Sequence, residues 1–245
     1  MKILVLGSEI PATPNMPGSP RLFSLCRLLA RRHELTLAAF NQDEERYRTF
    51  QADPMVPGVF EAITVLPAPP PPSWWGRQAH RIRQEASFVT RSRTPRYFRA
   101  QEQRIRSLIR EGGFDVVFAD GLPVSQYLID SKVGRPAIID LHDCFTLLFR
   151  RTMEAETRWL RKLALYAESR SIARLERSLG QAFSTVIVNS AVDEAFLRDL
   201  DPGQAESDRR IERVDVVAAM VLDVRAGGDP AAAREHVGLV GFLDD

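Results

Sequence analysis

The stretch ILVLGSEIPATPNMPGSPRLFSL, residues 3–25, runs from an apolar strand through a long loop into an amphipathic helix. We expect the helix to begin at Ser19 and Pro20, because serine caps helices and proline is pre-set for the first helical position. The loop follows the carboxyl end of its strand, which is where open α/β sheets bind ligands. At about ten residues it is longer than most strand–helix connections, which favours a binding role over an ordinary connection.

The glycines of this loop lack the spacing of the common nucleotide-binding fingerprints. Gly7 and Gly18 bracket the loop, so neither G-x-G-x-x-G nor a lysine-bearing phosphate loop is present. Gly18, Ser19 and the start of the helix nevertheless offer free backbone N–H groups at the positive end of a helix dipole. The sequence therefore indicates that an anion such as a diphosphate could bind at Gly18 and Ser19.

Apolar runs and amphipathic stretches alternate along nearly the whole chain. Strands are predicted at 2–8, 33–40, 61–68, 114–121, 134–143, 184–190 and 213–219, and helices at 19–32, 74–111, 145–181 and 191–200. This order predicts an α/β, Rossmann-like parallel sheet with helices on both faces. The strands are continuous apolar runs rather than alternating ones, as expected when both faces of a sheet are covered.

The composition and charge of the chain indicate which partners and which cellular setting to expect. The 245 residues are 44% hydrophobic and 27% charged, with a net charge of +1, so the overall charge points to no nucleic-acid or acidic partner. Cys26 and Cys144 form neither a disulfide framework nor a metal-ligand spacing, which favours a reduced, cytosolic setting. No segment has the roughly 18 apolar residues of a membrane span, so we expect any membrane contact to be peripheral.

The pattern of the carboxyl-terminal segment predicts the beginning of a second domain. A Gly/Pro-rich stretch at 223–235 is followed by the apolar run VGLVGFL at 237–243. We therefore expect one domain over 1–222, and over 223–245 a linker and the first strand of a second domain that is absent. The alternative on pattern alone is a last edge strand of the same sheet.

Two predicted strands end in groups that could carry chemistry. Asp120 ends the strand in FADGLP, where its carboxylate could orient or deprotonate a hydroxyl, although residue type alone favours a structural cap. Asp140, His142 and Asp143 crowd the end of the next strand, and flanking carboxylates hold the tautomer of an imidazole and raise its basicity. The alternative for His142 is a hydrogen-bonded structural histidine. The spacing matches no standard metal template, so no metal is expected.

The segment 77–110 holds ten arginines and only two glutamates. Aromatic residues are interleaved with them, and Trp74 and Trp75 come just before. Such a surface suits an anionic membrane, an acidic glycan or a lipid phosphate, while no motif for nucleic acid is present. The candidate surface residues are Trp74, Trp75, Arg91, Arg93 and Arg96. A solvated helix face is the alternative.

A pair of glutamates lies in the long predicted helix near 145–181. Glu168 and Glu176 have seven residues between them, which is the spacing of a sugar-nucleotide motif. Because arginines and a lysine surround them, we interpret both as members of surface ion pairs one helical turn apart.

The ordered combination of these segments resembles group 1 (family 4) glycosyltransferases. At 1–40 a strand, a proline/glycine loop and a helix are followed by RRHELTL. At 136–200 a strand ends in the acidic and histidine cluster, a Glu/Arg-rich helix follows, and a VIVNS strand opens into a short helix. The resemblance covers roughly 1–217. It implies the GT-B fold, in which two Rossmann-like domains face a cleft, and this chain would be the amino-terminal, acceptor-binding half.

The resemblance also implies a reaction and roles for particular residues. Gly18 and Ser19 would approach the donor diphosphate, and Asp120 would take the position where many relatives carry a catalytic-site His or Asp. His142 and Asp143 would form an acceptor-side cluster. The full-length protein would be a retaining hexosyltransferase without cofactor or metal, acting in polysaccharide biosynthesis. Its partners would be a nucleotide-sugar donor and a glycan or lipid-linked acceptor. It would be cytoplasmic and peripheral on the inner face of the membrane.

One loop departs from the family pattern. Residues 218–220 read Ala-Ala-Met where relatives have a PNG-like loop, and the paired-glutamate motif of the donor domain lies outside the chain. We therefore expect the chain alone to be inactive. The alternatives are a non-catalytic sugar- or phospholipid-binding module that docks through its Arg-rich helices, and a sugar-nucleotide epimerase-like protein.

Overall fold

The computed structural model describes residues 1–41, 43–68, 91, 94–130 and 134–200, and the backbone of 210–213. Over these residues, seven parallel strands form one sheet in the order β3-β2-β1-β4-β5-β6-β7. The strands are β1 Lys2–Gly7, β2 Glu34–Asn41, β3 Ala62–Pro67, β4 Val116–Asp120, β5 Ala137–Asp140, β6 Thr185–Val188 and β7 Arg210–Arg213. The predicted Rossmann-like parallel sheet is therefore confirmed.

Helices connect the strands and cover both faces of the sheet. They are α1 Arg21–Ala30, α2 Glu44–Ala52, α3 Pro95–Gly112, α4 Leu122–Ser125, α5 Phe145–Ala155, α6 Trp159–Ala182 and α7 Ala191–Leu200. Residues of β1 alternate between two hydrophobic clusters, with Ile3 and Val5 in one and Leu4 and Leu6 in the other. Both faces of β1 are thus buried, which explains why this strand is apolar at successive positions.

The register of the central strands aligns their carboxyl ends at one edge of the sheet, where a ligand crevice is expected. Gly7 at the end of β1 pairs with Asp120, and Asp120 pairs with Asp140. The sheet grows from β1 toward β2 on one side and toward β4 on the other, so the order of strands reverses at β1. Ligands of open α/β sheets bind outside the carboxyl ends of strands at such a reversal.

The long helix predicted near 145–181 is wrong as a single element. Helix α5 ends at Ala155, and α6 begins at Trp159 after an extended turn. Glu156 stabilises this turn because its carboxylate accepts hydrogen bonds from Arg158 and forms a salt bridge with Arg161. These interactions, with the Arg158 hydrogen bonds foremost, lower the pKa of Glu156 to about 2.

Two other predicted boundaries differ from the structure. Helix α1 begins one residue later than expected, at Arg21, so Pro20 occupies the cap position and Ser19 accepts a hydrogen bond from the Arg21 N–H at 3.4 Å. Strand β7 pairs with β6 and ends at Arg213, where the predicted strand 213–219 begins. The rest of that prediction, the loop at 218–220 and the linker and strand at 223–245 lie outside the described residues.

Candidate functional site

Three side chains from neighbouring strand ends meet at the carboxyl edge of the sheet. Asp120 is the last residue of β4, Asp140 is the last residue of β5, and His142 follows two positions later. The Nε2 atom of His142 lies 2.8 Å from Asp120 Oδ1 and 3.8 Å from Asp140 Oδ2. Both carboxylates are buried, whereas the His142 side chain is 36% exposed, so the imidazole is the part of this cluster that solvent or a substrate reaches.

The backbone after β5 turns sharply to place the imidazole. His142 has a φ of 59°, a left-handed conformation that is uncommon outside glycine, and the Asp143 N–H donates to the Leu141 carbonyl at 2.7 Å across it. Strained backbone of this kind persists where the surrounding structure fixes it, and it concentrates at functional sites. Asp143 is exposed. The carboxylates that flank His142 are therefore Asp120 and Asp140, and a role for Asp143 remains a prediction.

Arg21 joins the first turn of α1 to the end of β5. Its Nε and Nη2 atoms each lie 3.1 Å from a different oxygen of Asp140, which is the two-pronged geometry that guanidinium and carboxylate favour. Burial raises the pKa of Asp140, and the charges of Arg21 and His142 offset part of that effect. Sequence reasoning missed Arg21, because nothing local links it to a residue 119 positions away.

Asp120 has the largest influence on the pKa of His142. The hydrogen bond to Asp120 is the largest effect and raises the pKa of His142, and burial opposes it in part. A carboxylate can only accept, so we assign the shared proton to Nε2. The neutral ring then has Nδ1 as its acceptor, which is the arrangement that orients a hydroxyl or takes its proton.

The loop between β1 and α1 is held in place by a buried carboxylate. Asp53, which follows α2, accepts a hydrogen bond from Thr13 Oγ1 at 2.5 Å and another from the Asn15 amide at 3.2 Å. The Met55 N–H donates to the same carboxylate at 2.8 Å. These bonds, with that from Thr13 first, lower the pKa of Asp53. The loop therefore has a fixed conformation, although its sequence is rich in residues typical of turns.

Arg46 places a positive charge against the glycine of this loop. Its Nε donates to the Ile10 carbonyl at 3.0 Å. Gly18 has a φ of +118°, and a Cβ at this position would lie 3.3 Å from the Ala12 Cβ and 3.5 Å from Arg46 Nη2. Only glycine suits this backbone. Gly18 and Ser19 are exposed, so the guanidinium lies next to an open stretch of backbone just before α1.

The same three groups lie close enough together to bind a metal ion. One ligand atom from each of Asp120, Asp140 and His142 lies within 4.8 Å of the others. Arg21 contacts both oxygens of Asp140, and Asp120 is bound to the His142 ring. A cation at this cluster would compete with Arg21 for Asp140, and the expectation of no metal stays a prediction.

The predicted basic surface lies only partly within the described residues. Arg91 forms an ion pair with Asp130, and its guanidinium lies 5.7 Å from the ring centroid of Phe98. Arg96 is exposed at the start of α3. Arg93, Trp74 and Trp75 fall outside the described residues. In the part of the chain that the structure describes, no helix has both the length and the apolar character needed to span a bilayer.

Glu176 is a buried cap rather than a surface ion-pair member, so that interpretation was wrong. Its carboxylate accepts hydrogen bonds from the Phe145 N–H at 2.7 Å and from the Thr146 N–H at 3.2 Å, at the start of α5. Cys144 Sγ lies 3.4 Å away. Burial raises the pKa of Glu176, and these hydrogen bonds oppose the effect. Its carboxylate thus provides acceptors for the free N–H groups at the start of α5, the helix that follows the turn at His142.

Comparison with known families decides what kind of domain carries this site. Residues 18–218 match the family model described as glycosyl transferase 4-like domain. The chain belongs to this family. The resemblance found in the sequence is therefore confirmed, and the parallel sheet is that of a Rossmann-like glycosyltransferase domain of the GT-B type. No curated protein matches the chain.

Several solved structures are similar to this glycosyl transferase 4-like domain at low identity. The Candida albicans trehalose-6-phosphate phosphatase N-terminal domain is 13% identical, with a TM-score of 0.48 over 81% of this chain and 42% of that one. Glycyrrhiza uralensis UGT73P12, complexed with glycyrrhetinic acid 3-O-monoglucuronide, is 14% identical, with a TM-score of 0.46 over 98% and 53%. The UDP-GlcNAc 2-epimerase from Methanocaldococcus jannaschii is 9% identical, with a TM-score of 0.44 over 90% and 48%. The chain thus spans about half the length of these three structures.

Proposed function

We propose that this domain is the acceptor-binding half of a retaining glycosyltransferase. The reaction would move a hexose from a nucleotide sugar to a glycan or a lipid-linked acceptor. Membership of the glycosyl transferase 4-like family supports sugar transfer in general. The observation that carries the proposal is the His142–Asp120 hydrogen bond of 2.8 Å at the carboxyl edge of the sheet, beside the strand-order reversal.

The pair orients the acceptor hydroxyl. Asp120 holds the proton on Nε2 of His142, so Nδ1 accepts the hydrogen bond of the hydroxyl that attacks. The acceptor oxygen forms a bond to the anomeric carbon as the bond from that carbon to the donor phosphate breaks. As these bonds exchange, the hydroxyl turns from Nδ1 to the leaving phosphate oxygen on the same face and its proton passes to that oxygen, which gives retention. The work of the protein is then positioning of the reactants and stabilisation of charge.

Gly18 and Ser19 provide the place for the leaving diphosphate. They precede the N-terminus of α1, where free N–H groups and the helix dipole favour an anion. The Arg46 guanidinium lies against Gly18 on the same loop, where its Nη2 atom also pairs with the Glu9 carboxylate at 3.5 Å, so a diphosphate would share this positive charge with Glu9. Arg21 has a different role, because it already pairs with Asp140. This ion pair links the start of α1 to the strand that precedes His142.

The remaining parts of the proposal concern the partners and the location of the protein. The proposed reaction uses no metal or other cofactor, and the contacts of Asp140 with Arg21 and of Asp120 with His142 support this for the cluster itself. Two buried, free thiols, Cys26 and Cys144, support a reducing cytoplasmic location. There the protein would meet lipid-linked acceptors of polysaccharide biosynthesis at the inner face of the membrane.

The proposal is tested by transfer kinetics of the full-length protein with nucleotide-sugar donors. H142A should lower kcat by about 10²- to 10⁴-fold while donor binding stays unchanged. Activity should rise with pH through the raised pKa of His142, because only the neutral ring accepts the hydroxyl. D120N removes the main cause of that raised pKa, so this limb of the profile should move to lower pH.

Asp115→Asn is the matched control. Asp115 accepts a hydrogen bond from the Lys2 N–H at the opposite, amino edge of the sheet, so its loss should leave the pH profile unchanged. If H142A retains wild-type kcat/KM at matched folding, or if D120N leaves the pH profile where it was, His142 does not orient the acceptor.

A further inference from the structure

A stripe of large apolar side chains is exposed at the start of α6. Trp159 is 70% exposed, Leu160 57%, Leu163 59% and Tyr166 50%. Trp159, Leu163 and Tyr166 follow one another at spacings of four and three residues, so they lie on one face of the helix. A row of large exposed apolar side chains on one helix face is a candidate interaction site.

The fold makes this stripe project beyond the sheet. Glu176 contacts the first residues of α5 near the carboxyl ends of the strands, and α6 ends at Ala182, just before the amino end of β6. Trp159 lies 17 residues before Glu176, which corresponds to about 25 Å along the helix. The hairpin of α5 and α6 therefore extends past the edge that holds His142. We call its outer end, residues 151–170, the hairpin tip.

Basic residues surround the apolar stripe. Arg151, Arg158, Lys162 and Arg170 are all exposed, and the guanidinium of Arg170 lies 5.9 Å from the ring centroid of Tyr166. The acidic residues of the hairpin tip offset only part of this positive charge. Glu156 is 10% exposed and pairs with Arg158 and Arg161, so Arg158 adds no net charge, Glu168 is half-buried, and Glu154 is an exposed carboxylate of α5.

We propose that the hairpin tip docks on an anionic phospholipid bilayer. Trp159, Leu160 and Leu163 would enter the boundary between headgroups and acyl chains, and Lys162 and Arg170 would contact lipid phosphates. Tryptophan and tyrosine beside an apolar stripe with flanking Lys and Arg are the composition of interfacial helices. Protein interfaces share the enrichment in tryptophan, tyrosine and arginine but are depleted in lysine, and here Lys162 lies within the stripe. This surface is separate from the predicted Arg-rich segment 77–110, and the proposal does not depend on sugar transfer.

The experiment is co-sedimentation of the purified protein with vesicles of equimolar phosphatidylcholine and phosphatidylglycerol, without substrate. Wild type should bind these vesicles, bind phosphatidylcholine vesicles far less, and detach at high salt. W159S/L163S should lower the partition coefficient by about tenfold or more, because two large side chains no longer enter the membrane. L28S/V192S is the matched control, since both residues are exposed apolar side chains on other helices, and binding should be unchanged.

A second variant and a second readout keep the proposal testable if W159S/L163S folds poorly. K162E/R170E should abolish the preference for phosphatidylglycerol. In W74F/W75F, where Trp159 is the remaining tryptophan, fluorescence emission should shift to the blue when vesicles are added. Unchanged sedimentation of W159S/L163S would overturn the proposal, as would loss of binding only in R91E/R96E. A wild-type protein that ignores vesicles but self-associates through Trp159 would also overturn it, in favour of a protein interface.

Discussion

Replacement of Arg21 by methionine tests the link between α1 and the end of β5. The change keeps much of the aliphatic stem and removes the guanidinium that contacts both oxygens of Asp140. The Asp140 side chain is 4% exposed, so its carboxylate would remain buried without its main partner. A buried charge without a partner opposes folding.

The structure sets the size of the effect. Loss of one partner from a fully buried ion pair costs about 3–5 kcal/mol. The Arg21 side chain is 31% exposed, so water screens part of the interaction. We therefore expect R21M to lower the free energy of unfolding by about 2–3 kcal/mol at neutral pH. For a domain of this size, that corresponds to a fall in Tm of about 4–12 °C.

The loss of unfolding free energy in R21M should depend on pH in a defined direction. Burial already raises the pKa of Asp140 in the folded protein, and loss of Arg21 removes an offsetting charge and raises it further. Ionisation of a group with a raised folded pKa opposes folding, so R21M should lose stability as pH rises from about 3.9, the usual unfolded value. The difference between wild type and R21M should therefore be small near pH 4 and largest at neutral pH.

Urea denaturation monitored by circular dichroism measures this difference at each pH. The control is the same replacement in a D140N background, where no carboxylate is left without a partner, and most of the cost should disappear. A cost below about 0.5 kcal/mol, or an equal cost in both backgrounds, would refute the assignment of a coupled Arg21–Asp140 pair.

Two further predictions concern hydrogen bonds that hold loops and helix ends. E176A should lower the free energy of unfolding by about 2–3 kcal/mol, because the N–H groups of Phe145 and Thr146 lose their acceptor, and E176Q should recover part of the loss in the same urea titration. D53N should speed amide exchange in the β1–α1 loop by about tenfold or more, because Thr13 loses a charged acceptor. The effect of D53N should shrink as pH falls below about 3.9, since a lowered pKa means that the carboxylate stabilises the fold only while ionised. Equal urea midpoints for E176A and wild type, or equal exchange in D53N, would contradict these assignments.

The sheet was predictable because each of its strands is a short, continuous apolar run between turn signals. The predicted strands near β1 to β6 are all present within a few residues of their predicted ends. Helix α7 occupies 191–200 as expected. Such patterns are local, since burial on both faces of a parallel sheet demands apolar side chains at successive positions.

Two predictions in the region of α5 and α6 were wrong, each for its own reason. Glu176 looks like a surface residue in a charged helix, yet it caps α5 from 31 positions away. The helix break at Glu156 depends on a carboxylate that accepts bonds from arginines after it, and no proline or glycine marks it. Periodicity alone cannot distinguish one long helix from two helices that pack against each other.

By itself, the sequence determined the parallel α/β sheet, the presence of Asp120 and His142 at strand ends, and the family. Only the tertiary structure decided that Asp120 and Asp140 flank the imidazole and that Arg21 completes the cluster. It also decided that Trp159 and its neighbours face outward. The physical reason is that hydrophobic periodicity encodes which residues are buried, whereas hydrogen bonds and ion pairs depend on the relative positions of elements far apart in the chain.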